Sequence, residues 1–170
     1  PFGLGSGSAT IYGTTGGVAE AVVRHCMPDK SRNTLRALEY SPLRGNDSIR
    51  EATVQVGDRE IHLAVVHGLI HAQELLKEID AGNAYYDLIE VMTCPGGCVG
   101  GAGQPYGLKQ KKQDRTAGLY AADRSAPFKR AEYNPVVTSM MDAYTPDQRH
   151  DLLHVDSVSY THLRAHETGR

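Results

Sequence analysis

A glycine-dense segment that directly follows an apolar run is the feature that most constrains this chain. From Thr93 to Gly103 it reads Thr-Cys-Pro-Gly-Gly-Cys-Val-Gly-Gly-Ala-Gly, with three residues between Cys94 and Cys98. Glycine has no side chain and tolerates positive φ, so this backbone can approach a bulky ligand closely. Soft thiolates in proteins select zinc or iron–sulfur clusters. The segment therefore predicts a loop that binds a metal centre.

The cysteine count limits which centre this loop can hold. The chain has three cysteines, Cys26, Cys94 and Cys98, an odd and sparse set that argues against a disulfide scaffold and fits a reducing compartment. Zinc ribbons usually place two residues between paired cysteines and add a second pair, and both features are absent. A 4Fe–4S cubane needs four thiolates, so this chain cannot hold one alone. The residues favour a cluster completed by another segment, with a zinc half-site and buried thiols left open.

Hydrophobic periodicity predicts a mixed α/β chain. Helices are expected at 18–26, 69–81, 108–122 and 135–143, and short strands at 9–12, 35–40, 51–56, 61–66 and 86–92. Thr14 or Thr15 would cap the first helix, and Gly82 would end the second. Gly57 and Asp58 would turn one strand into the next. The charged run in 108–122 is typical of a solvated helix face.

The order of these elements predicts where a ligand binds. The strand at 61–66, the helix at 69–81 and the strand at 86–92 form the pattern of a parallel βαβ unit. In open α/β sheets, ligands bind at the carboxyl ends of the strands. Cys94 and Cys98 directly follow the last strand, so the cluster is expected at that edge of the sheet.

Composition disfavours several partners. The net charge is -2, so no basic excess indicates nucleic acid or an anionic membrane surface. No apolar run approaches the roughly 20 residues of a membrane helix, and no N-terminal signal is visible.

His67 and His71 lack the glutamate of a zinc protease motif and are expected to be ordinary polar residues. Cys26 is expected on the apolar face of its helix, as a small hydrophobe.

The segment from Glu90 to Pro105 closely resembles the last of the three cluster-binding motifs of the iron-only hydrogenases. Three further stretches resemble the same family: the glycine-rich helix entry at 13–21, the segment at 65–69 and the C-terminal end at 152–154. The resemblance runs from Pro1 to about His154. It implies part of the catalytic domain, with βαβ units that carry the cluster at the carboxyl ends of the strands.

The resemblance also implies roles for particular residues. Cys94 would bind the cubane, and Cys98 would bind the cubane and bridge it to a di-iron unit. Met92 would pack its thioether against the di-iron unit. Tyr12 would lie beside the dithiolate, although an ordinary buried strand aromatic is an equal alternative. The remaining residues implied to contact the cofactor are Gly13, Gly96, Gly97, Gly100, Gly101, Gly103 and Gln104.

The implied activity is the reversible reduction of protons to dihydrogen at a 4Fe–4S/di-iron H-cluster in the cytoplasm of an anaerobic prokaryote. The implied partners are the missing N-terminal part of the same protein and either ferredoxin or NAD(P)-linked subunits. Two alternatives stay open: a hydrogenase-like iron–sulfur assembly factor without the di-iron unit, and a zinc-binding interaction module. The form Cys94-Pro-Gly-Gly-Cys98 followed by Gln104-Pro105 looks more like the enzymes. The chain alone is expected to be inactive.

The C-terminal stretch from Val158 to Arg170 differs in character from the rest. It resembles the translation of a transposase adapter used in short-read sequencing libraries, so native protein is expected to cover 1–157. His162 and His166 have the spacing of two ligands on one helix face, but the context that would make a zinc site is missing.

Overall fold

The fold is organised around one small sheet and the helices on its two faces. The computed structural model describes residues 4–28, 38, 42–45, 47–107 and 109–154. The chain divides into two units, Pro1–Asn134 and Pro135–Arg170. The predicted strand at 35–40, except Leu38, and the stretch 158–170 with its histidine pair lie outside the described residues. Among the described residues, no helix has the length and apolarity needed to cross a bilayer.

The elements of the described residues follow the predicted α/β order. The helices are α1 (Gly7–Ile11), α2 (Gly17–Cys26), α3 (Leu69–Asp80), α4 (Lys109–Ser125), α5 (Pro135–Asp142) and α6 (Pro146–Leu153). The strands are β1 (Ile49–Val56), β2 (Arg59–His67) and β3 (Leu88–Met92), and short 3-10 turns occur at Cys98–Gly100 and Ala131–Tyr133.

The sheet has the strand order β1-β2-β3. β1 runs antiparallel to β2, with Val56 opposite Arg59, so the predicted turn at Gly57 is confirmed. β2 runs parallel to β3, with Leu63 opposite Leu88 and His67 opposite Met92. Because α3 connects these two parallel strands, the predicted βαβ unit is confirmed.

Both faces of β2 are buried, as its continuous apolar run predicts. Leu63 and Val65 pack with α2 residues in one core cluster, whereas Ala64 and Val66 pack with Leu75 of α3 in another. Alternate residues of a strand point to opposite faces, so one strand contributes to both clusters. Within the first unit, the sheet is thereby covered by α2 on one face and α3 on the other.

Two predictions about helix starts are wrong. Residues 9–12 were expected to form a strand but belong largely to α1, whose first turn is capped by the Ser6 side chain, which accepts from the Ala9 N–H. An apolar run this short cannot distinguish strand from helix by periodicity. The N-cap of α2 is Gly16, with φ of 90°, rather than Thr14 or Thr15. The Thr14 hydroxyl donates instead to the Ile11 carbonyl at 2.8 Å.

The C-terminal end of α3 matches its prediction, whereas the predicted burial of its apolar stripe is only partly observed. Gly82 has φ of 75° and donates to the Ile79 carbonyl, and Asn83 donates to the Glu78 carbonyl, which is the Schellman ending that glycine favours. The predicted apolar stripe, however, is only partly buried in this chain. Leu75 is buried, whereas Leu69 is 62% exposed and Leu76 is 55% exposed.

The second unit contains α5 and α6. α5 matches its prediction closely, and Pro135 stands at its first position. α6 was not predicted, although its start carries a readable signal. Thr145 and Gln148 form a reciprocal capping box, and Pro146 follows the cap.

Candidate functional site

The cysteine loop leaves the carboxyl end of β3, where the sequence places it. Cys94 is half-buried and Cys98 is exposed, and both are free thiols. The loop is folded by its own backbone: the Gly97 N–H donates to the Cys94 carbonyl at 2.9 Å, and the Gly101 N–H donates to the Cys98 carbonyl at 3.0 Å. Gly96 and Gly97 have φ of 88° and 86°, so this path needs residues without a Cβ.

The loop packs against the glycine-rich turn that connects α1 to α2. The Val99 N–H donates to the Gly13 carbonyl at 3.1 Å. A methyl group at Gly97 would lie 2.7 Å from the Thr15 nitrogen and 2.8 Å from the Met92 sulfur. The two stretches that resemble hydrogenase motifs at 13–21 and 90–105 are therefore in direct contact, and the Met92 thioether lies close to Gly97.

The other predicted lining glycines have different surroundings. A methyl group at Gly100 would lie 2.2 Å from the Pro95 carbonyl oxygen, so this glycine is required by the loop itself. One at Gly101 would lie 3.7 Å from the Cys94 sulfur. Gly96 and Gly103 have no atom within 4 Å of such a methyl group. Gly101 is thus the lining glycine that lies beside a cysteine sulfur.

α4 holds the far side of the loop. The Arg115 guanidinium donates to the Val99 carbonyl at 2.9 Å and to the Pro105 carbonyl at 2.5 Å. Lys112 and Arg115 line a cavity of about 320 Å³ together with Gly101 and Gln104. The prediction that this charged run is a solvated face is therefore wrong for Arg115, whose guanidinium binds the loop. Sequence periodicity could not identify this residue, because it lies in a run of charged side chains.

Glu90 links the strand before the loop to the start of α2. This β3 side chain is buried, and its two carboxylate oxygens accept from the Gly16 N–H at 2.6 Å and the Ala19 N–H at 2.7 Å. The residue was missed as a functional candidate. Its signal was present, since an acidic residue in the middle of an apolar strand needs a partner when it is buried.

A buried charge cluster joins α2 to α4. Arg24 donates to Glu20 at 2.5 Å and to both carboxylate oxygens of Asp123 at 2.8 Å, and Arg44 also contacts both acids. Burial alone would raise the pKa of Asp123, but the hydrogen bonds and charge of Arg24 outweigh it and lower that pKa below its ordinary value. The Arg44 guanidinium also lies 4.1 Å above the Tyr120 ring.

This cluster corrects the predicted orientation of α2. Val22 and Cys26, which were expected on the apolar face, are exposed, whereas Glu20 and Arg24 are buried. Charged side chains become buried when they are paired, and a hydrophobic pattern alone cannot show such pairing. Cys26 is therefore not a buried hydrophobe.

Three other residues named from the sequence have clear placements. Tyr12 is 49% exposed and follows α1, so the alternative of a buried strand aromatic is wrong. Its neighbour Gly13 contacts the cysteine loop. His67 is buried at the end of β2, and His71 is half-buried and pairs with Glu74 at 3.1 Å. None of these observations gives the histidines a ligand role.

The donor set fits part of a cluster site. Cys94 and Cys98 supply two soft thiolates on a loop whose glycines leave room for a bulky group. Within the described ranges, no three histidine, cysteine or acidic side chains are grouped closely enough to hold a metal ion. A cubane bound here would thus need two thiolates from another segment.

Residues 1–102 match the family described as the iron only hydrogenase large subunit, C-terminal domain. The chain belongs to this family. The stretch 13–21 and the part of 90–105 that holds both cysteines lie inside the matched range, so the hydrogenase-family assignment and the local geometry concern the same residues.

Several curated proteins are similar to this hydrogenase-family chain. It is 40% identical over 160 residues to the NADP-reducing hydrogenase subunit HndD of Solidesulfovibrio fructosivorans, covering 91% of this chain and 27% of that protein. It is 40% identical over 122 residues to the periplasmic Fe hydrogenase large subunit of Nitratidesulfovibrio vulgaris, covering 71% of this chain and 29% of that protein. It is also 34% identical over 133 residues to the cytosolic iron-sulfur assembly component 3 of Pongo abelii, covering 78% of this chain and 27% of that protein.

Solved structures give the same family. A variant of the FeFe-hydrogenase HydA1 from Chlamydomonas reinhardtii matches with a TM-score of 0.63 and 30% identity, over 90% of this chain and 47% of that one. The predicted α/β class and its place in the hydrogenase catalytic domain are confirmed. The chain spans less than a third of the length of the curated relatives above and about half of this structure.

Proposed function

We propose that this chain supplies part of the catalytic site of an iron-only hydrogenase. The observation that carries the proposal is the cysteine loop, which is held against the Gly13 turn on one side and by Arg115 on the other. The family assignment and the 40% identity to a hydrogenase subunit support it.

Residues 1–157 would be the native part, and 158–170 would derive from a sequencing adapter. A long read of the source DNA across this locus tests that boundary.

In this proposal Cys94 and Cys98 would hold a 4Fe–4S cubane together with two thiolates from an upstream segment, and Cys98 would also bind the di-iron unit. When bound, the H-cluster supplies the reversible two-electron reduction of protons to dihydrogen. Met92 presents a soft, adaptable thioether to the cofactor beside Gly97. Gly13, Gly96, Gly97, Gly100, Gly101 and Gln104 would line it, with Tyr12 at the edge.

The protein's own contribution is position and shielding. Arg115 binds the Val99 and Pro105 carbonyls, which flank the glycine-rich half of the loop, and so tethers the residue after Cys98 to α4. The Val99–Gly13 hydrogen bond fixes the opposite side. Backbone N–H groups and charges around such a loop tune the reduction potential of a bound cluster.

The partners proposed here are the N-terminal part of the parent protein and an electron carrier, either ferredoxin or an NAD(P)-linked subunit. The similarity to an NADP-reducing hydrogenase subunit supports the second. The cytoplasmic location expected from the sequence stays a prediction, because another relative at equal identity is named as periplasmic.

A second function, iron–sulfur assembly without a di-iron unit, is supported by the 34% identity to a cytosolic assembly component. The two functions differ in what the parent protein carries. We expect the full-length parent, purified anaerobically after expression with the hydrogenase maturation system, to show infrared bands of iron-bound carbonyl and cyanide and to evolve dihydrogen from reduced methyl viologen. A parent with a stable cubane but neither property would contradict the enzyme and favour the assembly factor.

A further inference from the structure

Glu90 is a buried strand residue whose two carboxylate oxygens both bind the backbone of α2. It lies in β3, two residues before Met92 and four before Cys94, and it is only 6% exposed. Each carboxylate oxygen accepts one backbone N–H from α2, at 2.6 Å from Gly16 and at 2.7 Å from Ala19. Both hydrogen bonds are short, and both connect residues more than 70 positions apart.

These two amides lie at the N-terminus of α2. The first turn of a helix has N–H groups without intrahelical partners, and a polar N-cap side chain normally satisfies them. Here the N-cap is Gly16, which has no side chain to do so. The Glu90 carboxylate therefore caps α2 from a different element, and its charge faces the positive end of the helix dipole.

The cap connects the two segments that form the cysteine site, the Gly13–Thr15 turn and the cysteine loop. Glu90 belongs to the strand that leads into Met92 and Cys94, and Gly16 follows directly on the turn that packs against Gly97. Moving this carboxylate would shift one half of the contact relative to the other. The interaction is thus placed to set geometry and charge at the loop rather than stability alone.

We propose that Glu90 is a positioning residue of the cluster site, which sets the register between the Gly13–Thr15 turn and the cysteine loop and whose negative charge influences the potential of a bound cluster. This inference rests on the proposed function, since it assumes that Cys94 and Cys98 hold a cubane. It does not assign Glu90 any direct contact with the cofactor.

Two substitutions separate charge from position. E90Q keeps the size of the side chain but removes the charge, and its amide NH₂ would face one of the two N–H donors. E90D keeps the charge and withdraws the carboxylate by one methylene group. E60Q is the matched control, because Glu60 is exposed on β2 of the same sheet.

The test uses the full-length parent with its cubane reconstituted, and it follows the cubane by redox titration monitored by electron paramagnetic resonance, with thermal unfolding in parallel. We expect E90Q to shift the midpoint potential to more positive values, because losing a negative charge favours the reduced cluster. E90D should keep the potential closer to wild type while changing the spectrum, and E60Q should change neither.

The inference is overturned if E90Q and E90D lower the unfolding temperature but leave the potential and spectrum of the cubane as in wild type. If E90Q does not accumulate, E90D decides: an unchanged spectrum overturns the inference, and an altered one supports it. A wild-type parent that binds no cubane would overturn the proposed function itself, which is a distinct result.

Discussion

Single residues of the cysteine loop are constrained in two separable ways, by backbone conformation and by contact. Gly96 and Gly97 share a left-handed conformation, with φ of 88° and 86°. Only Gly97 also faces protein atoms, at distances too short for a methyl group. The glycine-dense sequence predicted a bending loop, but it could not show which glycine contacts the Gly13–Thr15 turn.

We expect G97A to destabilise the parent protein clearly more than G96A. Alanine at positive φ costs at least about 1 kcal/mol at either position, and only at Gly97 must Thr15 and Met92 also move. Chemical denaturation of the two variants measures the difference. Equal losses would show that the loop does not pack against the turn as described.

Arg115 is the residue that secures the loop from α4. We expect R115A to lose about 1 kcal/mol of unfolding free energy, since the part-buried Val99 carbonyl and the exposed Pro105 carbonyl lose a charged donor, and to hold less iron per chain after reconstitution. R124A, on the exposed face of the same helix, is the control. Iron content that stays the same in R115A would contradict a role at the loop.

At the scale of elements, buried ion pairs join α2 to α4. Asp123 and Glu20 are fully paired with Arg24 and Arg44 inside the first unit. Removing one partner of a buried ion pair leaves an uncompensated charge, which typically costs about 3–5 kcal/mol. We expect D123N to lose an amount of this order.

The same pair gives a pH dependence with a definite sign. The pKa of Asp123 is lower in the folded protein than its ordinary value of 3.8. Its contribution is therefore complete above that unfolded value and is lost as the pH falls through the lower folded pKa. Unfolding midpoints between about pH 2 and 6 should show a steeper acid decline in wild type than in D123N. Parallel profiles would contradict the ion pair.

How much the sequence could predict differs between elements for physical reasons. β1, β2, α3 and β3 were predicted because their apolar residues repeat with the period of a strand or helix. α1 is too short for a period, and its residues were wrongly expected to form a strand. α2 was located correctly, but its period did not show that Glu20 and Arg24 are buried. The cysteine loop was located from local residues alone, whereas Glu90 and Arg115 depend on distant partners that no local pattern specifies.

At the scale of the whole molecule, the chain aligns with only part of each relative. It also exposes apolar residues on α3 and β3. Leu69, Ile70 and Leu76 of α3 and Val91 of β3 are each more than half exposed. β3 is also the last strand of the sheet in the described residues. These exposed positions fit the proposal that the rest of the parent protein covers them.

We expect the isolated chain to unfold without a sharp transition and to produce no dihydrogen. It has two of the four thiolates that a cubane needs close together, and part of its apolar surface is uncovered. Thermal unfolding followed by circular dichroism and a viologen-linked hydrogen assay measure both properties. Dihydrogen production by the isolated chain would contradict the idea that another segment completes the site.

The most direct test of the central claim is the iron and sulfide content of the full-length parent after reconstitution, compared among C94A, C98A and C26A. Cys26 is the remaining cysteine of the chain, exposed at the end of α2, so it serves as an internal control. The account predicts that C94A and C98A lose the cubane signal and that C26A keeps it at the wild-type level. A C94A or C98A protein that retains a full cubane would show that this loop does not bind the cluster.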